Sequence, residues 1–459
     1  MRIKLDIPLT VQEIATAVFG KAFTGENKTV EYITQDTRGI LPNDLFIALE
    51  GENFDGEDFV DDALTCGAIA ISAKHTTGCI SVKSTKAALL KLCEYYLTRL
   101  TCLKKKICIT GSVGKTTTKE FLAILCSERY KTHKTDGNLN NYIGVAFTVL
   151  SAPRDTEILV LEFGTNNRGE IRELSEAVHP TIAVITNIGT AHVGRLGSRQ
   201  IIANEKLDII SGMADVKILC EYGETLIPDI KGKLTVSCEN APADFFLCPI
   251  KEDISGTTFD LYSQYGIIEG ARLEIAGRHI LRSLAMAISA ALTATLTIND
   301  IMIALKRIDS TCARHKFVKL NGLIILDDSY NSSLESVTAD LALLAMYKNH
   351  PRSALLGDIL ELGCNTEAIH REMGAVAYRS GIERLYLFGV YSHSTALGAI
   401  AAGMREENIF INTDTTLPQR TADDILSTHK KNEIILFKAS HKVNLSRITD
   451  ILKKKGAVQ

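Results

Sequence analysis

Residues 107–118 of the chain read I-C-I-T-G-S-V-G-K-T-T-T, and the predicted fold is organised around this stretch. Its apolar, β-branched beginning predicts the end of a buried strand, and the residues from Lys119 onward have the apolar spacing of a helix. Gly111 and Gly114 lie between the two. Glycines let backbone N–H groups close around phosphate oxygens, and the positive end of the following helix faces the same anion. The stretch therefore predicts a phosphate-binding loop.

The predicted loop has the spacing G-x-x-G-K-T, which is shorter than the general pattern G-x-x-x-x-G-K-[ST]. We expect Lys115 to reach the outer phosphates and Thr116 to hold Mg²⁺. The alternative is an ordinary strand-to-helix turn with a surface lysine, which the order of strand, glycines, lysine and threonine disfavours. The predicted nucleotide-binding residues of the loop are Gly111, Ser112, Val113, Gly114, Lys115, Thr116 and Thr117.

The composition indicates a protein of several domains, because 459 residues exceed what one hydrophobic core supports. With 23% charged residues and a net charge of −3, no overall field favours nucleic acid or a membrane surface. The 11 cysteines include no C-x-x-C pair, which predicts reduced thiols. Since neither a signal-peptide pattern nor an apolar run of membrane-spanning length occurs in the sequence, we expect a soluble, cytoplasmic protein.

Three units follow one another along the chain, at residues 1–98, 99–314 and 315–459. The second alternates strand and helix patterns, which predicts a mainly parallel sheet covered by helices, with antiparallel strands added at one edge over residues 229–275. The third repeats the alternation on a smaller scale and predicts a Rossmann-like sheet. The predicted fold class is α/β, with a small α/β N-terminal domain, a central domain that carries the phosphate loop and a C-terminal Rossmann-like domain.

Three residues beyond the loop are candidates for the same site. Glu162 ends the apolar stretch L-V-L-E-F-G, and a carboxylate at a strand end near the phosphate loop suits Mg²⁺, although a water-exposed acid has the same local pattern. His192, in I-T-N-I-G-T-A-H-V, also follows a strand, but a lone histidine is more often structural, and imidazole is a less usual ligand of Mg²⁺ than of zinc. Lys206, judged from its neighbours alone, is a solvated helix lysine.

Polar side chains also collect in a loop and at strand ends of the third unit. The segment D-G-N-L-N-N-Y-I-G-V at 136–145 holds Asn138 and Asn141, which either line a phosphate or sugar site or cap the next helix. The segments at 326–333 and 355–363 each end a predicted strand with carboxylates. These clusters indicate that one face of the third unit meets a ligand.

Together these motifs resemble those of the Mur ligases, the ATP-dependent amide-bond-forming enzymes of cell-wall precursor synthesis. The resemblance covers nearly the whole chain. T-G-S-V-G-K-T-T-T is similar to the family's short phosphate loop, and D-T-R, D-L-F-I-A-L-E-G and D-G-E-D-F are similar to its N-terminal uridine-nucleotide domain. Further similar motifs, in the family's order, are G-N-L-N-N-Y-I-G-V, E-F-G-T-N-N-R-G-E-I, T-N-I-G-T-A-H-V, D-D-S-Y-N and L-G-D-I-L-E-L-G. They look most like the branch that joins D-alanyl-D-alanine to UDP-N-acetylmuramoyl-tripeptide.

The resemblance implies a role for each matching position in the phosphate site. Lys115 and Thr116 would bind the β- and γ-phosphates and Mg²⁺, and Glu162 and His192 would ligate magnesium. Lys206 matches the lysine that carries a carbamate in this family, an anion that suits a second metal ion. Carbamate formation requires a neutral amine, hence a pKa lowered by burial or by nearby cations. The implied metal ligands are Thr116, Glu162, His192 and Lys206, and the implied catalytic residues are Lys115, Lys206 and His192.

The other matching positions would bind the nucleotide or the substrates. The implied nucleotide contacts outside the loop are Arg314, Asp328, Tyr330 and Asn331. The implied substrate contacts are Asp36, Thr37 and Arg38, which fall where the uridine diphosphate is gripped, together with Asn138, Asn141, Asp358, Glu361 and Lys438.

Several positions depart from the family's pattern. G-x-H-N-x-x-N reads G-R-H-I-L-R-S here, so Ile280 and Ser283 replace two asparagines of the usual adenine contact. D-D-S-Y-N is followed by S-S-L rather than A-N-P. K-G-S-R reads K-A-S-H at 438–441, and His441 is a pH-dependent substitute for an arginine that grips a carboxylate with two bonds. The amine specificity is therefore less closely defined by the motifs than the ATP chemistry.

We expect an ADP-forming peptide ligase that uses ATP and two Mg²⁺ ions and acts as a monomer on a UDP-muramoyl peptide and D-alanyl-D-alanine, with no nucleic-acid or membrane partner. A MurE-type ligase, a divergent cell-wall peptide ligase and a folylpolyglutamate synthase are rivals within the class. A nucleotide-binding switch and a kinase are rivals outside it. A ligase needs a carboxylate and an amine together, a switch needs neither, and a kinase needs an acceptor hydroxyl.

Overall fold

The computed structural model describes residues 1–18, 27–51, 54–75, 77–190, 193–239, 242–309, 312, 316–320 and 322–456. Within these residues the strands form three sheets, of five, nine and six strands, that follow one another along the chain. Helices and strands alternate in each, so the predicted three-domain α/β fold is confirmed. The sheets fall inside the three predicted units, whose limits at residues 98 and 314 stay a prediction.

The first sheet has the order β1-β2-β3-β4-β5, with β1 antiparallel to β2 and the other pairs parallel. Its elements are β1 (Arg2–Thr10), α1 (Val11–Ala17), β2 (Thr29–Thr34), β3 (Leu45–Ile47), α2 (Val60–Thr65), β4 (Ile69–Ser72), β5 (Ile80–Ser81) and α3 (Thr85–Arg99). Helix α3 joins this sheet to the next domain, because the Tyr96 hydroxyl accepts from the Ile7 N–H at 3.1 Å and donates to the Ala152 carbonyl at 3.4 Å. The first domain therefore packs directly on the second.

The second sheet carries the phosphate loop. Its elements are β6 (Lys105–Thr110), α4 (Lys115–Cys126), β7 (Thr132–Lys134), α5 (Tyr142–Leu150), β8 (Ile158–Glu162), α6 (Glu170–Val178), β9 (Ile182–Ile185), α7 (Val193–Leu196), α8 (Arg199–Leu207), β10 (Ile218–Glu221), β11 (Lys233–Ser237), β12 (Phe245–Asp253), β13 (Gly256–Ser263), β14 (Gly266–Leu273), α9 (Arg278–Thr293) and α10 (Ile298–Leu305). The strands β6 to β12 are mutually parallel, and β13 and β14 extend one edge in antiparallel fashion. The antiparallel addition predicted over residues 229–275 is therefore confirmed for β13 and β14, whereas β11 continues the parallel sheet and pairs in parallel with β12.

The strand order β14-β13-β12-β11-β10-β9-β6-β8-β7 decides where the site forms. Strand β6 lies between β8 and β9, and the parallel pairing brings the carboxyl ends of all three strands to one edge. The strands β8 and β9 are buried throughout, which agrees with their continuous apolar sequences, because helices cover both faces of such a sheet. Residues that follow these three strands are therefore neighbours in space.

The third sheet has the order β15-β16-β20-β17-β18-β19 and is parallel apart from the β15–β16 pair. Its elements are β15 (Lys316–Leu320), β16 (Leu323–Asp327), α11 (Leu334–Ala345), β17 (Arg352–Gly357), α12 (Thr366–Arg379), β18 (Arg384–Phe388), α13 (Ser392–Ala402), β19 (Ile409–Asn412), α14 (Pro418–Thr428), β20 (Glu433–Lys438) and α15 (Ser446–Gly456). Because β16 and β20 are neighbours, Asp328 and Lys438 meet at their carboxyl ends.

Two further features bear on the sequence expectations. None of the helices in the described part of the chain has the length and apolar character needed to cross a bilayer. The 11 cysteines are all present as free thiols, and five of them are buried. Burial raises the pKa of the thiols, to about 12 for Cys93 and Cys126, so these side chains behave as small apolar core residues.

Candidate active site

The phosphate loop follows β6 and leads into α4, as the sequence predicts. Gly111 and Gly114 have positive φ values of 147° and 83°, a conformation that L side chains rarely adopt. A β-carbon on Gly111 would lie 1.8 Å from Thr186 Oγ1, so no side chain fits at this position. The glycines let the loop turn tightly against the residues that follow β9, and the N-terminal turn of α4 points into the resulting concavity.

Two residues after β9 support the loop. Asn187 Oδ1 accepts the backbone N–H groups of Ser112 and Val113 at 3.1 and 3.0 Å. Thr186 Oγ1 donates to the carbonyl of Val113 at 2.6 Å. Strand β9 ends at Ile185, directly before the two residues that make these bonds. The loop is therefore held in shape by the protein itself.

Lys115, Thr116 and Glu162 meet at this loop. Lys115 Nζ donates to the Gly111 carbonyl at 2.7 Å, which folds its ammonium back over the loop. Thr116 Oγ1 donates to Glu162 Oε2 at 2.9 Å. Glu162 is buried, and its other oxygen, Oε1, accepts from Asn140 Nδ2 at 2.9 Å. A carboxylate and a hydroxyl thus lie beside the loop, each held by the protein.

The donor set fits Mg²⁺. Neighbouring oxygens around an octahedral Mg²⁺ with bonds of 2.0–2.1 Å are about 2.9 Å apart, and Thr116 Oγ1 and Glu162 Oε2 are 2.9 Å apart. Among the described residues there is no cluster of three or more histidine, cysteine, aspartate or glutamate side chains with metal-site geometry. Mg²⁺ usually takes one or two carboxylates together with phosphate oxygens and water, and Glu162 is such a carboxylate.

Lys206 lies on α8 and is buried, in contrast to the solvated lysine that its local sequence favours. Burial is the main cause that lowers its pKa well below the usual value, and the nearby positive charge of Lys115 lowers it further, while Glu205 acts in the opposite direction. A lowered pKa supplies the neutral amine that carbamate formation needs. The structure therefore satisfies the chemical requirement that the resemblance placed on this residue.

A cavity of about 590 Å³ joins the phosphate loop to the third domain. Its central-domain wall includes Asn138, Glu162 and Lys206, and the departures Ile280 and Ser283 lie on the same wall. The third-domain residues that line it include Asp328, Tyr330, Asn331, Glu335, Asp340 and Lys438. Two domains of one chain thus enclose one cavity, which is large enough for a nucleotide and a reacting group.

A charged cluster forms the third-domain wall. The Lys438 ammonium is buried and forms ion pairs with Asp328 and, at 2.9 Å, with Asp340. Burial disfavours the charged amine, but the two carboxylates outweigh it and raise the pKa of Lys438. His279, on the central-domain helix α9, approaches Asp340 at 3.8 Å. The two carboxylates thus outnumber the Lys438 ammonium, and the cluster lies where the two domains meet.

The central and third domains also touch beside the phosphate loop. Glu335, near the start of α11, accepts from the N–H and the hydroxyl of Thr190, both at 2.8 Å, through Oε1. Among the described residues the other oxygen, Oε2, is buried without a hydrogen-bond partner. Arg195 forms an ion pair with Glu361 at 2.9 Å a few residues further along. The segment that follows β9 therefore contacts the phosphate loop on one side and the third domain on the other.

Several predicted residues make contacts other than those expected. The Asp358 carboxylate is buried and accepts the N–H groups of Val390 and Tyr391 at 2.8 and 3.0 Å, so it supports a turn of the third domain. Glu361 pairs with Arg195. Asn141 caps α5 through the Gly144 N–H, which confirms the capping alternative, and it also lines the cavity. Substrate binding by these residues stays a prediction.

The predicted uridine-nucleotide residues lie in the first domain, away from the cavity. Asp36 accepts from the side chain and the N–H of Arg38, which lowers the pKa of the Asp36 carboxyl to about 2. The Arg38 side chain is 89% exposed, and Thr37 is adjacent to both. His192 and Arg314, two further predicted site residues, lie outside the described residues.

Three residues of the site escaped prediction. Asn140 donates to Glu162, and the sequence feature that could have indicated it is its place in the asparagine-rich segment. Glu335 reaches the central domain from the third and has no local signal, because the contact spans 145 residues of sequence. Glu205 is buried beside Lys206 and accepts the N–H groups of Gly169 and Ile171 at 2.6 and 3.0 Å, which caps α6.

Comparison with known proteins gives a consistent result. The family model described as Mur ligase middle domain matches residues 109–291, and that described as Mur ligase family, catalytic domain, matches residues 29–90. The UDP-N-acetylmuramoyl-tripeptide–D-alanyl-D-alanine ligase of Bacillus subtilis (strain 168) is 34% identical over 455 residues, which cover 96% of this chain and 98% of that protein.

Solved structures are similar over nearly the whole length. A crystal structure of MurF from Acinetobacter baumannii has a TM-score of 0.87 and 26% sequence identity, covering 98% of this chain and 100% of that one. MurF ligase from Thermotoga maritima in complex with ADP has a TM-score of 0.80 and 25% identity, covering 93% and 98%.

Proposed function

The chain belongs to the Mur ligase family, and we propose that it joins D-alanyl-D-alanine to UDP-N-acetylmuramoyl-tripeptide in an ATP-dependent step of peptidoglycan precursor synthesis. The relative from Bacillus subtilis carries this activity in its name, and the match spans 98% of that protein. The similarity in fold extends to a MurF ligase that was solved with ADP. ATP is therefore the nucleotide that we assign to the phosphate loop.

One observation carries the proposal: the Thr116 hydroxyl lies 2.9 Å from the buried Glu162 carboxylate at the mouth of a phosphate loop, in a cavity that the third domain closes. This geometry supports a triphosphate on the central domain with its outer end directed toward third-domain side chains. A ligase needs this meeting of domains because nucleotide, carboxylate and amine must come together away from water.

The reaction that fits this cavity proceeds in two steps. A terminal carboxylate oxygen of the muramoyl peptide attacks the γ-phosphorus of ATP, which forms an acyl phosphate and releases ADP. The amine of D-alanyl-D-alanine then attacks the acyl carbon. A carbon–nitrogen bond forms, the carbon–oxygen bond to phosphate breaks, and inorganic phosphate leaves. The nitrogen loses its surplus proton, and the products are an amide, ADP and phosphate.

The protein contributes position and charge. Lys115, whose ammonium is held over the loop, offsets the negative charge that moves with the phosphoryl group. The backbone of residues 111–117 cradles the phosphates. We assign Mg²⁺ to Thr116 and Glu162, where it would neutralise phosphate charge. We also assign metal ligation to His192 on the strength of the family resemblance alone.

Lys206 is proposed to be carbamylated and to serve a second magnesium ion. The buried, neutral amine supports this role, because only the neutral form adds CO₂. A carbamate would carry a negative charge beside the Lys115 ammonium, which is favourable in a buried site. Carbon-13 NMR with labelled bicarbonate tests the assignment. A carbamate signal in the wild-type protein that is missing in Lys206→Met supports it, and the same spectrum for both proteins would refute it.

The remaining assignments concern the substrates. We propose that Asp36, Thr37 and Arg38 bind the uridine diphosphate, and that the third-domain wall meets the nucleotide and the amine. The nucleotide residues assigned there are Arg314, Asp328, Tyr330 and Asn331, and the substrate residues are Asn138, Asn141, Asp358, Glu361 and Lys438. The exposed guanidinium of Arg38 supports binding of the diphosphate, and the position of Asp328 and Lys438 on the cavity wall supports the third-domain assignments.

We further propose that the enzyme works as a monomer in the cytoplasm. Both walls of the cavity come from one chain, so no second copy is needed to complete it. ATP and nucleotide-linked sugars are cytoplasmic substrates, and the free cysteines suit a reducing compartment.

A phosphate-release screen tests the proposed reaction. Purified protein is given Mg²⁺ and ATP with each of several UDP-muramoyl peptides, crossed with D-alanyl-D-alanine and with single amino acids. We expect phosphate release only when a UDP-muramoyl tripeptide and D-alanyl-D-alanine are both present. Release with a single amino acid in place of the dipeptide would indicate a MurE-type or divergent ligase, and release that needs neither substrate would indicate a nucleotide switch.

A further inference from the structure

Lys119 lies on α4, one turn beyond the phosphate loop, and its side chain has no exposure to solvent. Lysine is almost never fully buried unless its charge is paired, because removing an ammonium from water is costly. The ammonium is paired here: it lies 2.9 Å from Glu120 Oε1. The other oxygen of the same carboxylate, Glu120 Oε2, pairs with the half-buried Lys134 at 3.1 Å. A methionine would fill the same space without this cost, so the buried charge calls for another explanation.

The explanation is a contact with the asparagine-rich segment. Lys119 Nζ donates to the carbonyl of Gly137 at 3.0 Å. Gly137 has a positive φ of 52° and is followed directly by Asn138. The buried ammonium thus holds the start of the segment at 138–141 against the helix that carries the phosphate loop.

The same segment ends on the candidate metal ligand. Asn140 Nδ2 donates to Glu162 Oε1 at 2.9 Å, and the Asn140 carbonyl accepts the Gly164 N–H at 2.8 Å. A β-carbon on Gly164 would lie 2.7 Å from Asn140 Oδ1, so the amide is packed tightly against the backbone beyond β8. With Oε1 held in this way, Glu162 Oε2 is turned toward Thr116.

We propose that Asn140 and Lys119 are positioning residues for magnesium binding: Asn140 fixes the orientation of the Glu162 carboxylate, and Lys119 fixes the segment that carries Asn140. This inference rests on the proposed function, in which Glu162 and Thr116 hold Mg²⁺. In this role Asn140 acts through Glu162, and Lys119 acts through the segment. Outer partners that orient a ligating carboxylate typically change metal affinity or activity by about 10- to 100-fold when they are removed.

The test uses the full chain and measures metal binding directly. Mn²⁺, whose free form is visible by electron paramagnetic resonance, is titrated into wild-type protein, Asn140→Ala and Lys119→Met in the presence of a non-hydrolysable ATP analogue. We expect Mn²⁺ affinity to fall about 10-fold or more in both variants. The KM for ATP at saturating Mg²⁺ should change less than twofold, because the phosphate loop is untouched.

Lys134→Met is the matched control, because Lys134 pairs with the same Glu120 and contacts the segment only through the exposed side chain of Asp136, at 3.6 Å, among the described residues. We expect wild-type Mn²⁺ affinity for it. Thermal unfolding of all variants separates misfolding from misplacement of the carboxylate. If Lys119→Met does not fold, Asn140→Ala, which removes only the half-buried amide, decides the question.

The possible outcomes separate this inference from the function on which it rests. If Glu162→Gln loses Mn²⁺ affinity while Asn140→Ala and Lys119→Met both keep it, the positioning roles are wrong and the proposed site stands. If Glu162→Gln binds Mn²⁺ as well as wild type, the proposed metal site itself fails. Loss of affinity in Lys134→Met to the same extent as in Lys119→Met would also overturn the role of Lys119.

Discussion

Lys115 and Lys206 both line the cavity, but their surroundings differ. Lys115 lies at the start of a helix over a loop built to hold anions, where a positive charge is useful. Lys206 is buried on α8, and its pKa is lowered first by burial and then by the charge of Lys115. The pKa of Lys206 is therefore lowered, while the Lys115 ammonium lies against the loop that is predicted to hold phosphate. The pair is a physical reason to expect phosphoryl transfer and carbamate chemistry in the same site.

The first prediction concerns Lys115→Ala. Loss of a charge aimed at the transferring phosphoryl group should lower phosphate release by at least about 10²-fold, measured with a coupled phosphate assay in the presence of both substrates. Lys104→Ala is the control, because Lys104 pairs with Glu157 at the surface of the same domain and should leave the rate unchanged. Ligation that persists in Lys115→Ala would remove the loop from the mechanism.

The second prediction concerns the stability of Lys206→Met in carbon-dioxide-free buffer. The folded chain holds the pKa of Lys206 below its unfolded value, so between the two values the unfolded chain binds more protons and wild-type stability rises with pH. Burial of this lysine therefore costs stability near pH 7, and the cost shrinks as pH approaches about 10.4. Lys206→Met should be more stable than wild type at pH 7, with a smaller gain at pH 9.5.

Urea denaturation at the two pH values measures this difference. Asp215→Asn is a useful reference, since its side chain is 83% exposed and should change stability little at either pH. A gain for Lys206→Met that is equal at pH 7 and pH 9.5, or that grows with pH, would show that the amine is not held neutral by the fold.

At the scale of elements, the site depends on the strand order β8-β6-β9. This order brings Glu162 from one neighbour of β6, and Thr186 and Asn187 from the other, to the phosphate loop. The loop is shaped by these strand ends before any ligand binds, which lowers the entropic cost of phosphate binding. The close approach of the Gly111 backbone to Thr186 is what makes the arrangement possible.

The third prediction compares two glycine substitutions. Gly111→Ala meets Thr186 Oγ1 at 1.8 Å and has a φ of 147°, so the loop must move away from β9. Gly223→Ala also has a positive φ, 82°, but open space around the new methyl group. We expect Gly223→Ala to cost about 1 kcal/mol of stability, and Gly111→Ala about 2 kcal/mol more with much weaker ATP binding.

Chemical denaturation and calorimetric titration with a non-hydrolysable ATP analogue measure both effects. Both variants place a side chain at a positive φ, but only Gly111→Ala adds the clash and the wider φ, so the difference between them reports the backbone conformation of the loop and its fit against β9. Equal ATP affinity in Gly111→Ala and Gly223→Ala would mean that the close approach is not needed for phosphate binding.

At the scale of the whole molecule, polar contacts join the third domain to the central domain beside the phosphate loop. Glu335 accepts two bonds from Thr190, Arg195 pairs with Glu361, and His279 approaches Asp340. Such contacts are weaker and more polar than a hydrophobic core, which suits domains that open to admit substrates and close for reaction.

The fourth prediction is that Glu335→Ala loosens this arrangement. Hydrogen bonds to a charged acceptor contribute about 1.5–3 kcal/mol. The fraction of molecules in which the third domain is closed over the cavity, and with it kcat/KM, should therefore fall about 10-fold or more. Small-angle scattering should show a larger radius of gyration for the variant with bound nucleotide. Glu335→Gln keeps an acceptor for Thr190 and should behave more like wild type. Equal scattering curves for Glu335→Ala and wild type would refute the role of the contact.

Local pattern was enough to predict the sheets and the phosphate loop, because strand–glycine–lysine–helix order and apolar strand runs are local properties. It also indicated Glu162, whose strand neighbours the loop. Local pattern was not enough to identify Lys119 or Glu335. The burial of Lys119 and the contact of Glu335 with Thr190 both depend on residues that are distant in sequence. Asp358 shows why a strand-end carboxylate is ambiguous in sequence: the pattern is the same whether the side chain faces a ligand or holds backbone N–H groups, and here it accepts two of them.

The most direct test of the account follows oxygen from substrate to phosphate. UDP-muramoyl tripeptide with its terminal carboxylate labelled in both positions with oxygen-18 is incubated with ATP, Mg²⁺ and D-alanyl-D-alanine, and the released phosphate is analysed by mass spectrometry. If this cavity transfers the γ-phosphoryl group to the carboxylate before the amine attacks, each phosphate carries one labelled oxygen, and label transfer requires the dipeptide. Phosphate released without label would contradict the account.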